Sequence, residues 1–161
     1  MALYESATAA PAAVDERSAL VAVGERIVHT VRYSREDIAR FAAQTLDRNP
    51  VHHSIEAARS AGHADVIASG QQTSALMSGL SASHFARADD GVAREALCLN
   101  FNFAYREPIF ADSDVALRWV VSSTEWNAGL DGVIAQLEGK AMVADTAAVI
   151  ARGTVLVRRA Q

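Results

Sequence analysis

Hydrophobic and polar positions change period along this chain, and the changes predict its elements. Residues 26–33, RIVHTVRY, are rich in β-branched side chains and roughly alternate, which predicts a first strand. Ser34 then offers an N-cap with Asp37 three residues on, a capping-box pattern. Ile38, Phe41 and Ala42 follow at helical spacing, so 35–45 reads as an amphipathic helix. Asn49-Pro50 is expected to stop it, because a residue before proline is pushed out of the α region. A short helix is expected at 54–62, closed by Gly62. Over 70–85, Thr73, Leu76, Met77 and Leu80 mark one helical face, and Ser74, Ser78, Gly79 and Ser81 are small. A helix this poor in charge is expected to be covered nearly all round.

After a polar loop at 86–94 the period falls to two. Leu97, Leu99, Phe101, Phe103 and Tyr105 are predicted to share one strand face, with Asn100 and Asn102 on the other. Further strands are expected at 114–122, near 133–142 and at 147–157, separated by turns around Asp131-Gly132 and Asp145. Successive strands with short turns predict an antiparallel meander. The class is therefore α+β. A curved antiparallel β-sheet wrapped around the central buried helix would supply that helix's cover, which is the hot-dog fold.

Length and composition bound this picture. The chain has 161 residues, half of them hydrophobic, enough for one domain with a core. Residues 1–24 read as a flexible Ala-rich arm without the basic and apolar regions of a signal peptide, and 25–161 as the single domain. The net charge of -4 is scattered, so no footprint for nucleic acid is present. One cysteine, Cys98, allows no intramolecular disulfide and fits a reducing compartment; it is expected to be a small buried side chain. No apolar run approaches the roughly 20 residues of a membrane helix. A soluble cytoplasmic protein with neither nucleic-acid nor membrane partner is the expectation.

Candidate chemistry concentrates in 46-LDRNPVHH-53. On a continuous helix Asp47 and His52 would be separated by about 500° and point apart. A turn at Asn49-Pro50 can bring them back together. A carboxylate and an imidazole aimed at one water form a general acid–base pair. The competing reading is a polar turn between helices, since Asp and Asn bond nearby backbone. His53 is expected to be a bystander. Asp47, His52, His53 and His63 are close in sequence, but their spacing matches no zinc pattern, so no metal is expected. Gly70 opens the buried helix, where backbone N–H groups carry partial positive charge and suit a developing oxyanion. Ser69 before it is a good N-cap.

The run 47-DRNPVH-52 resembles the D-x-N-P-[aliphatic]-H signature of the MaoC-like, (R)-specific enoyl-CoA hydratase family. Residues 33–46 resemble the stretch leading into that signature. Residues 66-VIASGQQTSALMSGL-80 resemble its glycine-led helix, and 105-YREPIFADSDV-115 its F-x-x-P-V-x-x-G-D-T stretch. The resemblance covers about 26–158. Ser69-Gly70-Gln71 stands where many members have His-Gly-Met, and the usual glycine of G-D-T is absent. The resemblance implies a hot-dog homodimer that hydrates a trans-2-enoyl-CoA, or dehydrates the (3R)-hydroxyacyl-CoA, without any cofactor beyond the CoA of the acyl-CoA substrate. It implies that Asp47 and His52 hold and activate the water, that Asn49 supports their loop, and that the Gly70 N–H forms the oxyanion hole. Ser69 and Gln71 are further substrate-binding candidates. The alternatives are an acyl-CoA thioesterase, disfavoured because residues 70–85 hold no Asp or Glu, and a non-catalytic acyl-CoA-binding subunit.

Overall fold

The computed structural model describes residues 19–160. Its elements are β1 (Arg26–Arg32), α1 (Arg35–Gln44), a 3-10 turn (Pro50–His52), α2 (Ile55–Ser60), α3 (Gly70–Phe85), β2 (Arg94–Tyr105), β3 (Asp114–Asn127), β4 (Gly132–Val143) and β5 (Thr146–Arg159). All strand pairs are antiparallel, in the order β1-β3-β4-β5-β2. The expected four-strand meander is therefore corrected. Only β3, β4 and β5 follow one another; β2 lies beside β5 at the far edge. The 106–113 connection must then cross to β3, and on the way an Ile67–Phe110 bridge ties it to the segment before α3.

The sheet curls around α3, as the hot-dog expectation requires. Thr73, Met77, Ser81 and Phe85 are buried and four residues apart, a narrow stripe along one side. All-round cover is not what the protomer provides: Leu76 stays 39% exposed, and Ala75, Gly79 and Ser83 are exposed too. A single concave sheet can cover only one side of a cylinder. Trp119 anchors the covered side, its indole N–H donating 2.9 Å to the Met77 carbonyl. The ring lies flat across the next strand because its partner there is Gly139, where a Cβ would come within 2.5 Å of the indole.

A bulge corrects the reading of β2. Cys98 pairs with Val155 and Asn100 with Thr154, so Leu99 is the extra residue. The bulge shifts the alternation, and Leu97 falls on the face opposite Phe101 and Phe103. Phe101 and Phe103 stack on each other at 5.9 Å and pack against Trp119. Leu97 and Leu99 are exposed, and so is Cys98, contrary to the expectation of a buried thiol. Both follow from an edge strand that has a neighbour on one side only.

Most of the expected N-terminal arm lies outside the described residues. Its end is not loose: Leu20 and Val21 are buried in the core. The Arg94 guanidinium donates to the carbonyls of Ala19 and Leu20 and pairs with Asp90, pinning this segment to the α3–β2 loop.

Candidate active site

The C-terminal end of α1 aims the acid. The Leu46 N–H donates to Ala43 O and the Asp47 N–H to Ala42 O, the two bonds of a Schellman ending. Leu46 takes the left-handed position with φ 61°, where glycine is usual. This turn, rather than Asn49-Pro50, ends the helix. Pro50 instead starts the 3-10 turn, where its missing N–H costs nothing. Asn49 caps that turn, its Oδ1 accepting from the Val51 N–H, and its own N–H donates 2.9 Å to Asp47 Oδ1.

The turn delivers His52, which is 7% exposed. Its Nδ1 lies 2.7 Å from Ile67 O. A carbonyl can only accept, so Nδ1 carries the proton, and in the neutral ring Nε2 holds a lone pair. Nε2 faces Asp47 Oδ2 at 3.4 Å. Two acceptors at that separation do not bond each other, whereas a water set to one side of the pair can donate to both. The spacing thus brings Asp47 and His52 to one point, and the remaining Asp47 oxygen is held by Asn49. His53 turns away, its Nε2 to Asp47 O.

Gly70 opens α3 and lines the same pocket as His52. Ser69 sits at the N-cap position but makes no side-chain cap; its hydroxyl donates instead to Gln71 Oε1. The Gly70 N–H has no acceptor among the described residues. A Cβ at Gly70 would meet the Tyr105 ring at 2.7 Å, so glycine is required by the close approach of that ring. The Tyr105 hydroxyl bonds Ser74 Oγ at 2.7 Å, which holds the ring against the first turn. Behind it, the Tyr33 and Thr73 hydroxyls pair at 3.1 Å, and burial pushes the Tyr33 hydroxyl up in pKa, with the Thr73 bond opposing.

A pocket of about 400 Å³ opens onto His52, Gly70, Gln71 and Thr73. Its other walls come from Ile67, Ala68 and the Tyr105–Ile109 segment, with Val149 and His63. Ser69 is buried and outside the lining. Sequence reasoning weighed His63 only as a metal ligand and missed it as a wall; the signal was its place between Gly62 and the glycine-led helix. It also missed Ile67 O, which fixes the ring of His52 and has no side-chain signature. Among the described residues no group of three or more His, Cys, Asp and Glu is placed to hold a metal ion, and no helix is long and apolar enough to cross a membrane. Arg106 lines the pocket, whereas Arg94 is fully engaged with Asp90 and backbone carbonyls.

Comparison with known proteins supplies independent findings. The MaoC like domain family matches residues 18–141. The (R)-hydratase from A. caviae involved in PHA biosynthesis is similar in structure, with TM-score 0.72 and 22% identity over 84% of this chain and 96% of its own. The MaoC-like dehydratase from Rhodospirillum rubrum gives TM-score 0.72 and 19% identity over 88% and 95%. The HadBC (3R-hydroxyacyl-ACP dehydratase) complex from Mycobacterium tuberculosis gives TM-score 0.68 and 19% identity over 83% and 96%. No match emerged among curated proteins.

Proposed function

Because the chain belongs to the MaoC-like hydratase and dehydratase family, we propose that it adds water to a 2-enoyl-CoA thioester, or removes it from the 3-hydroxyacyl-CoA. The observation that carries this reading is the free Nε2 of His52 facing Asp47 Oδ2 at 3.4 Å. In the hydration direction, Asp47 and His52 together hold one water set to one side of the pair. His52 Nε2 takes a proton as the water oxygen bonds to C3 of the enoyl group. The electron pair of the C2–C3 double bond moves toward the thioester, and the Gly70 N–H stabilises the resulting enolate oxygen. A proton then returns to C2 and the thioester carbonyl re-forms. Water and product balance without a redox step or metal, and no cofactor is part of the proposal. Asn49 holds Asp47; Gln71 and Ser69 shape the start of α3.

The assembly proposed is a homodimer built on the free edge of β2 and the uncovered side of α3. The exposed Leu76, Leu97 and Leu99 support it. A thioesterase reading is weaker, because α3 offers no carboxylate near Gly70. The test follows the enoyl thioester absorbance with crotonyl-CoA while a disulfide dye reports free thiol. Loss of absorbance without thiol release supports a hydratase. Thiol release at the same rate overturns it.

A further inference from the structure

The proposed reaction leaves the outer face of the sheet unused. Two rows of side chains cross that face in register. Val28, Arg118, Lys140 and Ile150 stand side by side on β1, β3, β4 and β5, and Arg26, Val120, Glu138 and Arg152 form the next row. Their chain neighbours Leu117, Trp119, Ala141 and Ala151 are buried on the α3 side, so these rows point outward. Each of four adjacent strands thus contributes one exposed cation: Arg26, Arg118, Lys140 and Arg152. None of the four has an ion pair or a side-chain hydrogen bond among the described residues. Elsewhere Arg32, Arg35, Arg40, Arg87, Arg94 and Arg158 are all paired with carboxylates. Arg118 and Lys140 even face each other directly, a like-charge juxtaposition that costs stability. A chain of net charge -4 therefore gathers unpaired cations on one face and bears a cost for it.

We propose that this face docks an acidic amphipathic α-helix of a partner protein, laid across the strands. Adjacent strands are about 4.8 Å apart, and successive turns of a helix are about 5.4 Å apart. A helix with a carboxylate on each of four turns therefore meets one cation per strand, from Arg26 to Arg152. Val28, 63% exposed, and Ile150, 40% exposed, flank Arg118 and Lys140 in the same row and offer apolar contact to the side of the helix. Glu138 is the one carboxylate in the two rows, and it faces Arg152 across the strand pair. It repels a continuous anionic surface such as a membrane or a nucleic-acid duplex. A helix with discrete carboxylates instead sets a neutral or donating side chain against it. Val149 lines the pocket while its neighbour Ile150 points outward, so the pocket lies on the other side of the sheet and a docked helix leaves it open.

Fluorescence anisotropy with the full chain and a labelled helical peptide tests this. The peptide carries glutamate once per turn over four turns, with leucine beside it; its control carries lysine in place of glutamate. The glutamate peptide is expected to bind in the micromolar range at about 0.05 M salt and about tenfold more weakly or worse at about 0.5 M. Arg118→Glu with Lys140→Glu is expected to weaken it by about tenfold or more and to confer binding of the lysine peptide. Should that double variant fail to fold, Arg26→Gln with Arg152→Gln, at the two ends of the cationic run, is expected to weaken the glutamate peptide by about threefold or more. No binding by the wild type, equal binding of the two peptides, or undiminished binding by the folded variants overturns the proposal. Tighter binding of phosphatidylglycerol vesicles or of duplex DNA than of the peptide also overturns it, in favour of a lipid or nucleic-acid partner. The outcome is independent of the crotonyl-CoA assay, which reads the hydratase assignment at the pocket.

Discussion

A histidine faces a carboxylate near each end of α3, His84 in its last turn and His52 on the 3-10 turn that shares a pocket with Gly70, and the pairs are built differently. At the C-terminal end, His84 Nε2 meets Glu25 Oε1 at 2.6 Å, and Arg87 donates to the same oxygen at 2.7 Å. The other Glu25 oxygen accepts from the Ala22 N–H. Its bonding is complete. At the N-terminal end, His52 and Asp47 stand 3.4 Å apart, with one imidazole nitrogen and one carboxylate oxygen uncommitted; His52 lines the pocket, and Asp47 lies outside its lining. A pair whose carboxylate is fully bonded joins the β1 approach to the end of α3. An unsaturated pair held by backbone can take up a water and move its protons. Residue types alone do not distinguish the two; the distribution of bonds does.

The strongest way to break this contrast is Asp47→Asn. The amide keeps the shape and one acceptor but cannot carry the charge, so turnover is expected to fall by about 10²–10⁴-fold with the folded state retained. Steady-state rates together with circular dichroism check it. Gly70→Ala comes next. The added methyl meets the Tyr105 ring, and displacement of the first turn of α3 is expected to cost about 10²-fold in kcat/KM. Adding Tyr105→Ala removes the clash and should recover part of the loss.

The saturated pair predicts the opposite pattern. Burial raises the Glu25 carboxyl, but bonds from the Ala22 N–H, His84 and Arg87 outweigh it and hold the group below its ordinary 4.5. A carboxyl with a lowered folded pKa contributes stability above its unfolded value and loses it as pH falls through the folded one. Glu25→Gln is therefore expected to cost about 1–3 kcal/mol at neutral pH and to flatten the stability loss below pH 4.5. Urea melts across pH measure this, and turnover per folded molecule should not change. The smallest effect is at Leu46, where glycine relieves the left-handed backbone. Leu46→Gly is expected to add about 1 kcal/mol or less.

Much of this architecture is legible in the sequence because period and capping are local signals. The strand at 26–33, the Ser34–Asp37 box and the glycine-led helix all emerge close to where they were expected. The crossover of β2 was not legible, since short turns favour neighbours and nothing local says that β2 pairs with β5. The bulge at Leu99 was hidden because an alternating run reads the same with or without an extra residue. At the site, the run from Asp47 to His52 marked the right turn, yet the element that aims Asp47 is a positive-φ leucine, which composition disguises. Ile67 and Tyr105 act through a carbonyl and a ring face brought in from distant parts of the chain, and only the folded chain brings those to the pocket.

The most direct test of the contrast is a paired measurement of turnover and unfolding free energy for His52→Asn and His84→Ala. Asparagine can still donate to Ile67 O while lacking the Nε2 base. The account predicts that His52→Asn loses turnover by orders of magnitude with little change in stability, and that His84→Ala loses stability while each folded molecule keeps its rate. Full turnover in His52→Asn, or a matching loss of turnover in His84→Ala, would contradict it.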